Sequence, residues 1–312
     1  MTQAIGGPWG AMRDGRSRRG IILTVGLVLL FAADSAHAIR VTDDRGASID
    51  LQAPARHIVS LAPNITELLF AAGAGERVVG TSEFSDYPAA ARAIPRIGSS
   101  SHLDLERIVQ LKPDLVVVWG SGTPELQLEA LRRVGIPLFY SEPHVLDDLP
   151  RAIVRFGTLA GTQPQARAAA DAFSERLTGL RSRYAHRPPV RIFWQVWAHP
   201  LLTVNGRHII ADAIRLCGGA NIFADLPALV PSVSIESVIA ADPEAIVTTT
   251  DASPDGGDGL DQWRKLPWLS ATVHGNFIVL DAQTIDRASP RILDGAASLC
   301  QRLDAVRSRR NP

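Results

Sequence analysis

Apolar positions along this chain follow two spacings, and their alternation predicts the architecture. Short, nearly all-apolar runs at Arg56–Leu61, Val78–Gly80, Leu115–Trp119 and Ile136–Tyr140 read as strands, with Leu115–Trp119 fit to be covered on both faces of a parallel sheet. Between them, Thr66–Ala72, Asp104–Leu111 and Pro124–Val134 carry helical spacing, stopped by Gly73, Pro113 and Gly135. The middle of the chain changes character. Val145–Ala160 and Gln165–Ala185 are helical without an intervening strand, and the second places Ala169, Phe173, Leu177 and Leu180 along one face. After Pro188-Pro189 the first rhythm restarts, with strands at Arg191–Trp197, Glu244–Thr249 and Phe277–Leu280 and helices at His208–Leu216 and Ser289–Val306. The prediction is an α/β fold: two similar α/β lobes with mostly parallel sheets, joined by a long backbone helix. The expected divisions are an N-terminal lobe at 39–144, connecting helices at 145–187 and a C-terminal lobe at 188–312.

A repeated phrase supports the two-lobe reading. D-L-E-R-I-V-Q-L-K-P-D-L-V-V-V from Asp104 and S-I-E-S-V-I-A-A-D-P-E-A-I-V-T from Ser234 align without gaps, sharing Glu106/Glu236, Pro113/Pro243 and Val117/Val247. Each opens on a helix-capping residue and places Pro where it ends the helix and leads into a strand. The alternative is a chance match of a common helix–Pro–strand unit. Two such lobes present a crevice at the carboxyl ends of their strands, the default ligand site of open α/β sheets.

The first 38 residues read as an address. Arg13, Arg16, Arg18 and Arg19 precede the apolar run Ile21–Ala33, and Ala36-His37-Ala38 forms a small-residue cleavage site, which predicts a signal peptide over residues 1–38 and an exported, soluble chain. The rest of the 312 residues has the length of two domains. The chain is formally neutral, which gives no reason to expect nucleic acid or an anionic membrane as partner. In an exported protein the two cysteines, Cys217 and Cys300, suggest a disulfide; two buried free thiols are the other reading.

Several stretches resemble the periplasmic substrate-binding proteins of ABC importers. They are I-V-S-L-A-P-N-I-T-E-L from Ile58, F-S-D-Y-P from Phe84, the repeat at Leu105–Val116, C-G-G-A-N-I-F from Cys217 and R-A-S-P-R from Arg287. The helical-backbone class is meant, which includes siderophore, haem and cobalamin receptors, and the cobalamin-binding members are the nearest. The resemblance runs in order through residues 56–305. It implies a periplasmic monomer with no cofactor of its own and no enzymatic activity. Such a protein captures cobalamin or a related corrinoid and delivers it to an inner-membrane ABC permease dimer. It assigns permease docking to Glu106 and Glu236, whose other reading is an ordinary first-turn glutamate favouring the helix dipole. A corrin is a wide apolar disc fringed by amides and wants aromatic walls with a few donors. The candidate ligand-binding residues are Pro63, Asn64, Phe84, Ser101, Trp119, Trp197, Leu202 and Arg287. The family's remaining aromatic positions fall at Ser100 or Ser101, Leu202 and Val230, and its Asp falls near Gln283. Trp194 and Trp197, three apart on one predicted strand, face opposite sides, so one is expected in the core and the other at the wall.

Other readings stay in view. A ferric-siderophore or haem receptor keeps the class, but anionic siderophores want several arginines and only Arg287 is placed. A metal-ion receptor needs a His/Asp/Glu cluster, and among His102, His144, His199 and His274 no pair has ligand spacing. His102 or His199 is a candidate contact to a ligand's cobalt. An exported hydrolase would need a triad such as Ser60, His199 and Asp86, without any G-x-S-x-G turn. A sensor partner of a signalling receptor would use the same lobes.

Overall fold

The computed structural model describes residues 38–99, 102–250 and 257–310. The signal peptide assigned to residues 1–38 therefore lies, but for Ala38, outside the described residues, as does Ser101.

Strands β1 (Ile39–Thr42) and β2 (Ser48–Leu51) form an antiparallel hairpin. Next come β3 (Ile58–Ser60), α1 (Pro63–Ala71), β4 (Val78–Thr81), α2 (Leu105–Gln110), β5 (Leu115–Trp119), α3 (Glu125–Arg133) and β6 (Leu138–Ser141). Two consecutive helices follow, α4 (Asp148–Ala160) and α5 (Gln163–Tyr184). The second half runs β7 (Val190–Trp194), α6 (Ile209–Leu216), β8 (Gly219–Asn221), α7 (Ile235–Ala241) and β9 (Ala245–Thr249). It continues with α8 (Asp261–Arg264), α9 (Ser270–Val273), β10 (Phe277–Leu280), α10 (Ala282–Ile285) and α11 (Ile292–Arg310).

Each half folds a four-stranded, all-parallel sheet, ordered β4-β3-β5-β6 in the first and β8-β7-β9-β10 in the second. The orders are equivalent position by position, so the repeated phrase marks a repeated fold. In each copy the first residue caps its helix: Asp104 accepts from the Arg107 N–H at 2.9 Å, and Ser234 Oγ from the Ser237 N–H at 3.2 Å. In each, the residue before Pro is left-handed, Lys112 at φ 47° and Asp242 at φ 41°, since proline bars that residue from continuing the helix. The acid after Pro then ties down the neighbouring strand. Asp114 accepts from the Arg56 and His57 N–H groups at 2.7 and 3.0 Å, and Glu244 from the Arg191 N–H at 2.9 Å. The matched acids thus hold the starts of β3 and β7, the central strands that pair with β5 and β9.

The all-apolar strands serve two cores each. Leu115 and Val117 face an inner core and Val116 and Val118 an outer one; likewise Ile192 and Trp194 face inward and Phe193 outward. The inner core is continuous from the first sheet through Leu149, Phe156, Phe173 and Leu177 of α4 and α5 to Trp194 and Leu299 of the second half. Helix α5, 22 residues and about 33 Å long, runs through this junction. Helices α4 and α5 meet at Gly157, where a Cβ would come within 2.2 Å of the Ala166 Cβ, so only glycine lets them approach.

The structure adjusts several expectations. The strand placed at Arg191–Trp197 ends at Trp194. Trp194 is buried in the inner core, and Trp197 lies in the following loop, so strand alternation is not what separates them. Hairpin β1–β2, an element beyond the predicted ones, packs Val41 and Leu51 into the inner core. The closing helix starts at Ile292 rather than Ser289, because Ser289 bonds elsewhere. Cys217 and Cys300 are joined in a disulfide that ties the end of α6 to α11 across 83 residues, which stabilises the fold by about 4–5 kcal/mol in the chain-entropy model.

Candidate functional site

Between the halves lies a cavity of about 620 Å³. Its walls come from the carboxyl ends of strands in both sheets, since Trp119 ends β5, Thr249 ends β9, and Glu142 and Val196 follow β6 and β7. The N-terminal ends of α1 and α6 add Pro63, Asn64, His208 and Ile209. A crevice opens there because the loops leaving the strands diverge while α5 fixes the spacing of the sheets.

Of the sequence-predicted ligand residues, the cavity wall brings together Pro63, Asn64, Trp119, Trp197 and Arg287. Trp119 and Trp197 face it from different lobes. The Trp119 indole N–H donates to Glu142 Oε1 at 3.3 Å, and a Cβ at Gly122 would meet its ring at 1.9 Å, so a glycine makes room for this wall. Trp197 donates its indole N–H to the His199 carbonyl at 3.0 Å and bridges Leu202 on the adjacent segment. Val230, where the resemblance implies an aromatic, lines the cavity as an aliphatic residue.

Two candidates are not in the wall. Phe84 stands 75% exposed at a left-handed φ of 62°, and it is its carbonyl, not its ring, that turns toward the site. Leu202 is held in bridges to Trp197 and Ser232 and does not line the cavity. Arg287 lines the cavity, but its guanidinium is engaged. It donates to Glu67 Oε1 at 2.9 Å, Asp86 Oδ1 at 2.8 Å and the Phe84 carbonyl at 3.2 Å. Arg291 donates to the same Glu67, to Oε2 at 2.9 Å, and stacks on the Tyr87 ring at 4.0 Å; Ser289 Oγ adds a bond to Glu67 Oε2 at 2.7 Å. Glu67, with a side chain 1% exposed, is thereby the hub of a charged latch between the lobes. For Asp86, burial pushes the carboxyl up, and the hydrogen bond and charge of Arg287 outweigh it, leaving the pKa below the usual carboxylate value. Reading the sequence left Glu67 without a role, although it sits in the quoted I-V-S-L-A-P-N-I-T-E-L stretch. A glutamate on the buried face of an apolar helix, beside a two-arginine motif elsewhere, was the available signal.

Three further site residues come only from the structure. Glu142 is fixed by the Trp119 indole, by the Ser121 hydroxyl at 2.9 Å and by the Ser121 N–H at 2.6 Å. Asp286 lines the cavity and accepts from Thr249 Oγ1 at 2.8 Å. His208 caps α6, its Nδ1 accepting from the Ile210 N–H at 3.2 Å. Burial, with a smaller contribution from His144, lowers the His208 pKa to about 4, so the ring is neutral at pH 7. The imidazoles on the wall are thus His144 and His208, not His102 or His199. Among the described residues no group of three His, Cys, Asp or Glu is placed to hold a metal ion. The triad Ser60, His199 and Asp86 does not assemble: the Ser60 hydroxyl is buried against Thr66 Oγ1 at 2.8 Å, and Asp86 is paired with Arg287.

The model of a family described as periplasmic binding protein matches residues 58–284. The chain belongs to the periplasmic binding protein family. It is 34% identical over 257 residues to a vitamin B12-binding protein of Vibrio parahaemolyticus, covering 82% of this chain and 92% of that one. It is 38% identical over 253 residues to a vitamin B12-binding protein of Yersinia pestis, covering 81% and 88%. The crystal structure of the periplasmic vitamin B12-binding protein BtuF of Vibrio cholerae superposes with a TM-score of 0.75 at 35% identity, over 81% of this chain and 98% of that one. Within this binding protein the repeated glutamates Glu106 and Glu236 sit in the first turns of α2 and α7, both exposed. The Glu236 pKa is lowered by backbone N–H bonding and by Ser234.

Two outcomes follow from the latch and the cap. Replacing Glu67 by Gln leaves Arg287 and Arg291 without their shared counter-charge and is expected to lower unfolding stability by about 3 kcal/mol or more, read from urea denaturation. His208 has a folded pKa below its unfolded one, so the unfolded chain binds the extra proton between them. Its contribution is full above pH ~6.5 and falls as pH drops toward 4. Between pH 7 and pH 4 the wild type is expected to lose about 2–3 kcal/mol more than His208→Asn, which keeps a helix cap without a titrating ring. Equal losses in both proteins would refute the buried-neutral assignment.

Proposed function

We propose that this binding protein captures cobalamin or a closely related corrinoid between its lobes in the periplasm and delivers it, chemically unchanged, to an inner-membrane ABC permease. The observation that carries the reading is the cavity at the carboxyl ends of both sheets, with one tryptophan from each lobe in its wall. Its volume lies within the roughly 300–1,000 Å³ of small-molecule sites, and a mostly apolar wall with a few fixed polar groups suits a flat ring fringed by amides. Similarity to the vitamin B12-binding proteins, over most of both chains, supports the same cargo. The only cavity-lining guanidinium among the described residues is spent on the latch, which disfavours ligands that need several arginines. The N-terminal run of arginines, apolar residues and Ala-His-Ala supports export.

Glu106 and Glu236 are the proposed docking points, one per lobe. Exposed carboxylates in equivalent first turns offer a permease two charge-assisted contacts that set register more than affinity.

Titrating the protein with cyanocobalamin, haem and ferric siderophores, by tryptophan fluorescence and calorimetry in parallel, tests the cargo. Saturable binding of cyanocobalamin is expected, weakened about tenfold by Trp119→Ala or by Trp197→Ala. Saturation by haem or a siderophore with none by cyanocobalamin would overturn the reading. For docking, the E106A/E236A double variant is expected to bind cyanocobalamin yet fail to support its uptake in cells carrying the cognate permease. Undiminished uptake would reject the role.

A further inference from the structure

The polar groups left available at the cavity share one character. Asn64 is 6% exposed, lines the cavity, and its side-chain amide makes no hydrogen bond with the described protein. It offers a carbonyl oxygen and an NH₂ group to whatever enters. His208 Nδ1 accepts a backbone N–H, so its ring hydrogen sits on Nε2, which has no partner among the described residues. With a pKa of about 4 that ring is an uncharged donor at neutral pH. Glu142 offers the opposite face, a carboxylate oriented by three donors and without a cationic partner among the described residues. Arg45 lies near it along the outer groove but pairs with Glu125 and stacks on Tyr140.

Among the described residues, the charged side chains of the wall are two carboxylates, Glu142 and Asp286, against one cation, Arg287. That cation belongs to the latch, where Arg287 and Arg291 are matched by Glu67 and Asp86. A carboxylate on the ligand would therefore meet like charge and no free counter-charge, whereas a carboxamide finds an acceptor in Glu142, a donor in His208 and both in Asn64.

We propose that Asn64, Glu142 and His208 make the cavity a reader of uncharged carboxamides, which admits the fully amidated corrinoid and rejects one bearing a peripheral carboxylate. This rests on the corrinoid reading of the site and adds a charge criterion to it. Glu142 is the residue that sets the discrimination, because its negative charge repels what an amide at the same place would satisfy.

The test compares cyanocobalamin with its monocarboxylic acids, in which one peripheral propionamide is hydrolysed. The wild-type protein is expected to bind at least one of these acids tenfold or more weakly than cyanocobalamin at low salt, since like charges a few ångströms apart in a partly dry site cost at least that factor. Glu142→Gln, which keeps the shape and removes the charge, is expected to narrow this ratio threefold or more. Raising salt to 0.5 M on the wild type is expected to narrow it as well, an arm that needs no variant. If cyanocobalamin itself does not bind, the corrinoid reading fails. If cyanocobalamin and all its acids bind the wild type equally, the corrinoid reading stands and the amide criterion is overturned. If Glu142→Gln leaves the wild-type ratio unchanged, Glu142 is not the discriminator.

Discussion

The structure depends on a single continuous inner core that two separate sheets must share. Each sheet buries its second face alone, against its own helices, but the faces turned inward share one core, which α4, α5 and α11 complete together with α1, α6 and the β1–β2 hairpin. Phe156, Phe173 and Leu177 of the connecting helices lie in this shared core, so the connection is part of the packing that covers the inner faces. That explains why the connection is a stiff helix rather than a pair of strands. A helix packed along its length, with a glycine contact to its neighbour, leaves the lobes small adjustments rather than wide closure. The cavity exists because this prop holds the carboxyl edges of the sheets apart.

The latch works from the other direction. Two arginines converge on one buried carboxylate, with Asp86 balancing the charge, and they do so across the lobes near the cavity. Such a cluster contributes little net stability compared with an apolar contact, but it is costly to break by halves, which favours one mutual arrangement of the lobes. It also decides the chemistry of the wall. By occupying Arg287 it removes the cation that anionic ligands would seek, and leaves aromatic surface, neutral donors and carboxylate oxygens. Fold and ligand preference are thus linked through one guanidinium.

The repeated glutamates show the same economy outside the cavity. Each copy of the repeat uses its first residue as a cap, its proline as a stop and the acid after the proline as a tie to the neighbouring strand, while the glutamate in the first turn stays exposed. Two exposed acids in equivalent places remain available for a partner that recognises both lobes.

The sequence by itself determined the local and the repetitive. Doubly buried strands show as unbroken apolar runs, helices end where Pro and Gly forbid continuation, and the gapless match of the 104 and 234 phrases carried the two equivalent sheets. These are short-range effects, set by neighbours in the chain. Trp119, Pro63 and Asn64 were also legible, because residues at strand ends and helix starts fall at the crevice of any open parallel sheet, whereas Trp197 reaches the wall from the loop after β7 rather than from the strand. What only the tertiary structure decided was the fate of side chains whose partners lie some two hundred positions away. Arg287 reads as a ligand residue until Glu67 is brought beside it, and Phe84 as a wall until its left-handed backbone turns the ring outward. Glu142, Asp286 and His208 had no motif to announce them. Their roles arise from burial and from which donors surround them, and those are properties of the packed molecule rather than of any stretch of chain.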